Sequence, residues 1–102
     1  MIAVFVTFEA DDLDRARVRT VATESRPLFE GMPGLRSKLS TLAETGTRAT
    51  NVYVWDSEDA ARQFFSDELV ARVTDRYGVR PRIEFAEIVA SVDNSSRSAE
   101  RV

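Results

Sequence analysis

The stretch Arg48 to Phe65, RATNVYVWDSEDAARQFF, decides the fold. It reads as a strand, a tight acidic corner and a helix. Asn51, Tyr53 and Trp55 alternate with Thr50, Val52 and Val54, and a period of two puts the larger polar and aromatic side chains on one sheet face. Asp56 is expected to cap a helix whose first turn carries Glu58 and Asp59, where negative charge suits the positive end of the helix dipole.

Upstream, Leu35 to Leu42 is a second strand, with Arg36, Lys38 and Ser40 opposing Leu35, Ser37 and Leu39. Glu44-Thr45-Gly46 is a hairpin signal that makes it antiparallel to the strand from Arg48. Before it, Gly31 ends a helix and Pro33 prevents its resumption. That helix starts at Asp11 and Asp12, and Val18, Val21, Ala22, Ser25, Leu28 and Phe29 form its apolar stripe. Asp14 falls near the angle of this stripe, one turn before it; such a residue is more often a solvated first-turn acid than a pocket group. Ile2 to Phe8 is the first strand, mostly apolar on both faces.

Downstream, Ala60, Ala61, Phe64 and Phe65 share a helical face, and the phase fails beyond Ser66. Leu69, Val70, Val73 and Tyr77 form a stripe only if the count restarts at Ser66-Asp67. The spacing therefore predicts a helix, a break, and a second short helix ending at Gly78. Glu58–Arg62 and Glu68–Arg72 have the spacing of supportive ion pairs. Arg82 to Val92 is the last expected strand, after Pro81. Residues 93–102 carry almost no apolar side chain and read as a disordered tail.

The order is β-α-β-β-α-β, the α+β ferredoxin-like arrangement of an antiparallel sheet with its helices on one face. At 102 residues the chain holds one core, so residues 1–92 are read as a single domain. Strands with two apolar faces and helices on only one side leave a patch larger than monomers usually expose. The expectation is a homodimer, sheet against sheet.

Composition narrows the chemistry. The net charge of −3 offers no footprint for nucleic acid or an anionic membrane. No apolar run approaches the roughly 20 residues of a membrane span. Zero Cys fits a cytoplasmic setting. Zero His removes the commonest general base and the imidazole ligands of metals and haem, and together with zero Cys it disfavours a metal site, so none is expected.

Pro33-Gly34-Leu35, Lys38, the Asn51–Trp55 strand and the helix start at Asp56–Ala60 resemble the dimeric α+β barrel superfamily. Its best-known branch is the antibiotic biosynthesis monooxygenases, and the pattern is most similar to the YdhR-like group. There a proline-glycine opens the second strand, a lysine follows four residues after the glycine, and a Gly-Gly-x-Tyr-x-aromatic strand comes next. Lys38, Tyr53 and Trp55 match; Thr50 and Asn51 stand where the glycines would be, and Ser40 where a tryptophan can occur.

The resemblance implies a dimeric barrel with a ligand pocket between helices and sheet. It also implies cofactor-independent monooxygenation of an electron-rich aromatic or polyketide-like molecule. On that reading Lys38, Asn51, Tyr53 and Asp14 are the catalytic candidates, and Arg36, Trp55, Phe64 and Tyr77 the substrate-binding ones. Lys38 and Arg36 would draw down the substrate's pKa, Asn51 and Tyr53 would donate to the oxyanion, and Trp55 would stack on the ring. The base would be Asp14, Glu84, a deprotonated Lys38 or solvent. Plainer readings stand beside these: Tyr53, Trp55, Phe64 and Tyr77 as core, Lys38 and Arg36 as charges on an edge strand. A non-oxidative cyclase, isomerase or lyase, and a non-catalytic binding dimer, are the alternatives on the same fold.

Overall fold

A computed structural model describes residues 1–94. Its elements run β1 (Ile2–Glu9), α1 (Arg15–Phe29), β2 (Leu35–Leu42), β3 (Arg48–Trp55), α2 (Glu58–Phe64), α3 (Asp67–Tyr77) and β4 (Arg82–Glu87). The four strands form one antiparallel sheet in the order β2-β3-β1-β4. The ferredoxin-like arrangement is therefore present, with its second helical segment divided in two.

Val4, Val6 and Phe8 of β1 and Ala49, Asn51, Tyr53 and Trp55 of β3 are all buried beneath the helices. Burying a side chain such as Val4 or Phe8 stabilises the fold by about 1.5–3 kcal/mol. Phe8 stacks on Tyr77 with centroids 3.9 Å apart, which ties the end of α3 to the centre of the sheet. The corner between β3 and α2 is held by Gly34, whose carbonyl accepts from the Asp56 amide at 2.8 Å. Gly34 has φ +82, and a Cβ there would stand 3.1 Å from that of Ala60; backbone conformation and space both favour glycine.

The caps differ in detail from expectation. Asp14 is the cap of α1, accepting from the Arg17 amide at 3.0 Å, and the helix starts after it rather than at Asp11. Ser57, not Asp56, caps α2. Ser66 caps α3 and Gly78 closes it in the left-handed conformation, as the break in phase predicts. Arg62 pairs with Glu58 at 2.7 Å. Glu68 and Arg72 do not pair; among the described residues the ion pairs are Arg62–Glu58, Arg36–Asp56 and Arg82–Glu84.

The sheet's other face has no helix on it. Its three rows are Ser37, Val54, Ala3, Ala86; Leu39, Val52, Phe5, Glu84; and Thr41, Thr50, Thr7, Arg82. Leu39 is 64% exposed and Phe5 37%. The apolar patch lies on β2, β3 and β1. β4 contributes Arg82 and Glu84, paired with each other, so it is not apolar on both faces. β4 also ends at Glu87, short of Val92; just past its end the Ile88 amide still donates to the Met1 carbonyl. Val89 and Val92 are then almost fully exposed. The tail expected over 93–102 lies, from residue 95, outside the described residues. Among the described residues no helix is long and apolar enough to cross a membrane.

Candidate functional site

A cavity of about 350 Å³ lies between the sheet and the helices. Its floor is the covered sheet face, where the register sets Lys38 opposite Tyr53 and Ser40 opposite Asn51. Val6 and Ile83 continue the Asn51 row across β1 and β4. The roof is the α1 stripe of Val21, Ser25, Leu28 and Phe29, which meets Phe64 and Phe65 at the end of α2. Leu69, Val73 and Tyr77 of α3 close the remaining side, with Arg72 and Arg76 at the mouth. The Ser66 break matters here: it restarts the helix at a new phase, so both Phe64–Phe65 and the α3 stripe face one space.

The walls are aromatic and interlocked. Tyr53 meets Phe65 edge-on at 5.0 Å and Phe29 at 5.9 Å, and Phe64 meets Phe65 at 4.9 Å. Such contacts fix ring orientations and contribute about 0.5–1.5 kcal/mol each beyond burial. The Lys38 ammonium lies over the Phe29 ring at 3.9 Å and 5.3 Å from the Tyr53 centroid. Burial, assisted by the like charge of Arg76, lowers the Lys38 pKa from 10.5 to about 8. The Tyr53 phenol is pushed well above its ordinary value, chiefly by burial and then by Tyr77, with the Asn51 side chain opposing the shift through a hydrogen bond. Tyr53 therefore stays a neutral donor at physiological pH. Lys38 is a cation that can release its proton without strongly alkaline conditions.

Five of the residues singled out from the sequence line this cavity together: Lys38, Asn51, Tyr53, Phe64 and Tyr77. Three do not. Asp14 is exposed, and its carboxylate is committed to capping α1. Arg36 sits at the irregularity between Leu35 and Ser37, which makes it an extra residue on its strand; it turns out to solvent and meets Asp56 at 3.3 Å. Trp55 is 2% exposed and lies in the core behind Tyr53 and Phe64, at 6.4 and 5.2 Å. Its indole Nε1 has no hydrogen-bond partner among the described residues. Glu84, the other carboxylate considered as a base, is on the opposite face of the sheet. Arg72 and Arg76 were missed because their surroundings suggest solvated charges. A signal was present: Arg72 follows Leu69 and Arg76 follows Val73 by three residues each, which sets both beside the stripe that packs inward.

A second, shallower groove of about 510 Å³ runs along the outside of α1 and β2 past Arg26, Arg36 and Ser37. It is open to solvent along its length and lacks the aromatic enclosure of the inner cavity.

No family model matches the chain, and no curated protein matches it in sequence. Solved structures do match in shape. A monooxygenase from the gene ActVA-Orf6 of Streptomyces coelicolor, solved with the ligand nanaomycin D, superposes with a TM-score of 0.67 at 20% identity, over 90% of each chain. SnoaB, a cofactor-independent oxygenase from Streptomyces nogalater solved as a mutant, gives 0.68 at 13% identity, over 89% of this chain and 95% of its own. A protein of unknown function from Nitrosomonas europaea gives 0.64 at 20%, over 90% and 92%. The chain thus has the ferredoxin-like α+β fold. Structures of this likeness share the fold over nine-tenths of the chain.

Proposed function

We propose that this protein is a cofactor-independent monooxygenase that oxidises an electron-rich aromatic or polyketide-like molecule in the cavity between helices and sheet, working as a homodimer. The observation that carries the reading is the make-up of that cavity: an enclosed aromatic space whose floor presents one ammonium, one amide and one neutral phenol. The two oxygenases of the same fold support it by analogy.

The chemistry needs little else. An anthrone-type CH₂ group is acidic because its anion is delocalised over the ring system. Lys38 holds the anion's oxygen, and Asn51 and Tyr53 donate to it, so deprotonation occurs nearer neutral pH. With Asp14 and Glu84 outside the cavity, the proton goes to the neutral fraction of Lys38 or to solvent. The carbanion transfers an electron to dioxygen and the radicals combine, giving a hydroperoxide; loss of water leaves the ketone. The balance is R₂CH₂ + O₂ → R₂C=O + H₂O, with the substrate as the only reductant.

The dimer would cover the apolar part of the bare sheet face, from Leu39 through Val52 to Phe5. The test of activity is oxygen uptake with 1,8-dihydroxyanthrone and no added metal, flavin or haem. Uptake above the buffer rate, lost in Lys38→Met and Asn51→Ala, supports the proposal. No uptake, or turnover that consumes no oxygen, points to a non-oxidative enzyme or a binding protein.

A further inference from the structure

The cavity's walls carry three cationic side chains, Lys38, Arg72 and Arg76, and no carboxylate. The chain as a whole is acidic, with 17 acidic and 14 basic residues, so this concentration of positive charge runs against the balance of the molecule. Lys38 is inside, over Phe29. Arg72 and Arg76 are one helical turn apart on α3, exposed, at the mouth. Residues at that spacing share a helix face, so their guanidinium groups serve one place. Glu68 stands one turn before Arg72 at the spacing of an ion pair, yet the pair does not form. No ion pair is made by Arg72 or Arg76 among the described residues.

We propose that Arg72 and Arg76 bind a carboxylate at the mouth of this cavity, so that the substrate is an aromatic acid whose ring system enters between Phe29 and Phe65 and whose anionic group stays at the rim. This rests on reading the cavity as the substrate site and deepens it by naming the substrate's second functional group. Guanidinium groups suit the role because their planar donors match a carboxylate's two oxygens. Exposure suits it too: the arginines remain hydrated when the site is free. The division of labour places one anionic group at the rim and directs the ring's ionisable oxygen to Lys38, Asn51 and Tyr53. A ligand held at both ends has one orientation rather than several.

The experiment is calorimetric titration of the intact protein with 2-naphthoate and with 2-naphthamide, which match in shape and differ in charge. The expected result is naphthoate binding at least tenfold more tightly, with the preference narrowing as salt is raised. In Arg72→Gln/Arg76→Gln the preference falls below threefold while naphthamide affinity is unchanged, which also shows that the variant is folded. Equal affinity for the two ligands, a preference that survives the double substitution, or binding of neither at millimolar concentration overturns the proposal. The outcome separates from that of the oxygen assay. Charge preference without oxygen uptake overturns the oxygenase and keeps the carboxylate site. Oxygen uptake from an uncharged anthrone without charge preference does the reverse.

Discussion

The ammonium of Lys38 lies 3.9 Å from the centre of the Phe29 ring, on the face of β2 that looks into the cavity. The ring face attracts the cation, but it does not replace the lost water or supply a counter-ion. Lys38 accordingly titrates near 8 instead of 10.5. The unfolded chain therefore binds more protons than the folded one between those values, and stability attributable to Lys38 rises with pH across that window. Tyr53 acts in the opposite sense, since its raised pKa stabilises the fold below pH 10 and that contribution is lost at higher pH. Chemical denaturation at pH 7 and pH 9.5 stays below the Tyr53 window. The wild type is expected to gain on Lys38→Met between the two; a difference that stays constant or shrinks contradicts the burial argument.

Asn51 and Lys38 face each other's rows from adjacent strands, and in the proposed reaction both act on the same developing oxyanion. Removing one preorganised donor of this kind typically costs about 10²–10³ in rate. Asn51→Ala is expected to lower kcat by at least tenfold while KM changes far less. A rise in KM at constant kcat would show that Asn51 only holds the substrate.

Ser66 caps α3 through the Leu69 amide at 3.2 Å, and α3 carries Arg72, Arg76 and Tyr77. Ser66→Ala is expected to cost about 1 kcal/mol of stability, read from a urea midpoint. Naphthoate affinity is expected to stay unchanged, because packing through Tyr77 against Phe8 keeps the helix in place once folded. A loss of affinity without a loss of stability would mean that the cap positions the arginines directly.

Leu39 and Phe5 lie in one row of the helix-free sheet face, with Val52 between them. Light scattering at micromolar concentration is expected to give a dimer. Leu39→Glu, which brings two carboxylates into the proposed interface, is expected to shift it toward the monomer. A wild-type monomer at these concentrations would contradict the assembly.

Much of this was legible in the sequence because period-two and period-3.6 patterns report which side chains share a face. The alternation in NVYVW put Asn51, Tyr53 and Trp55 on one face, which the structure shows to be the covered one, and the lost phase at Ser66 predicted the division between α2 and α3. Arg36 was placed wrongly because one extra residue before Ser37 shifts the alternation, and no turn residue announces it. β4 was drawn too long because Ile88, Val89 and Val92 suit a strand locally, while its ladder with β1 stops at the Ile2–Glu87 pair and leaves Val89 and Val92 exposed. Asp14 illustrates the converse: its position on the wheel suggested the pocket, and local hydrogen bonding to Arg17 claimed it for the cap. Phe29 was read as core, and its second role under Lys38 depends on a distance that no pattern in either segment encodes.

The most direct test of the central claim is turnover of 1,8-dihydroxyanthrone under ¹⁸O₂, with the product analysed by mass spectrometry. One labelled oxygen is expected in the new ketone, at a rate that falls at least tenfold in Lys38→Met. An unlabelled product, or labelling at the same rate in that variant, would contradict it.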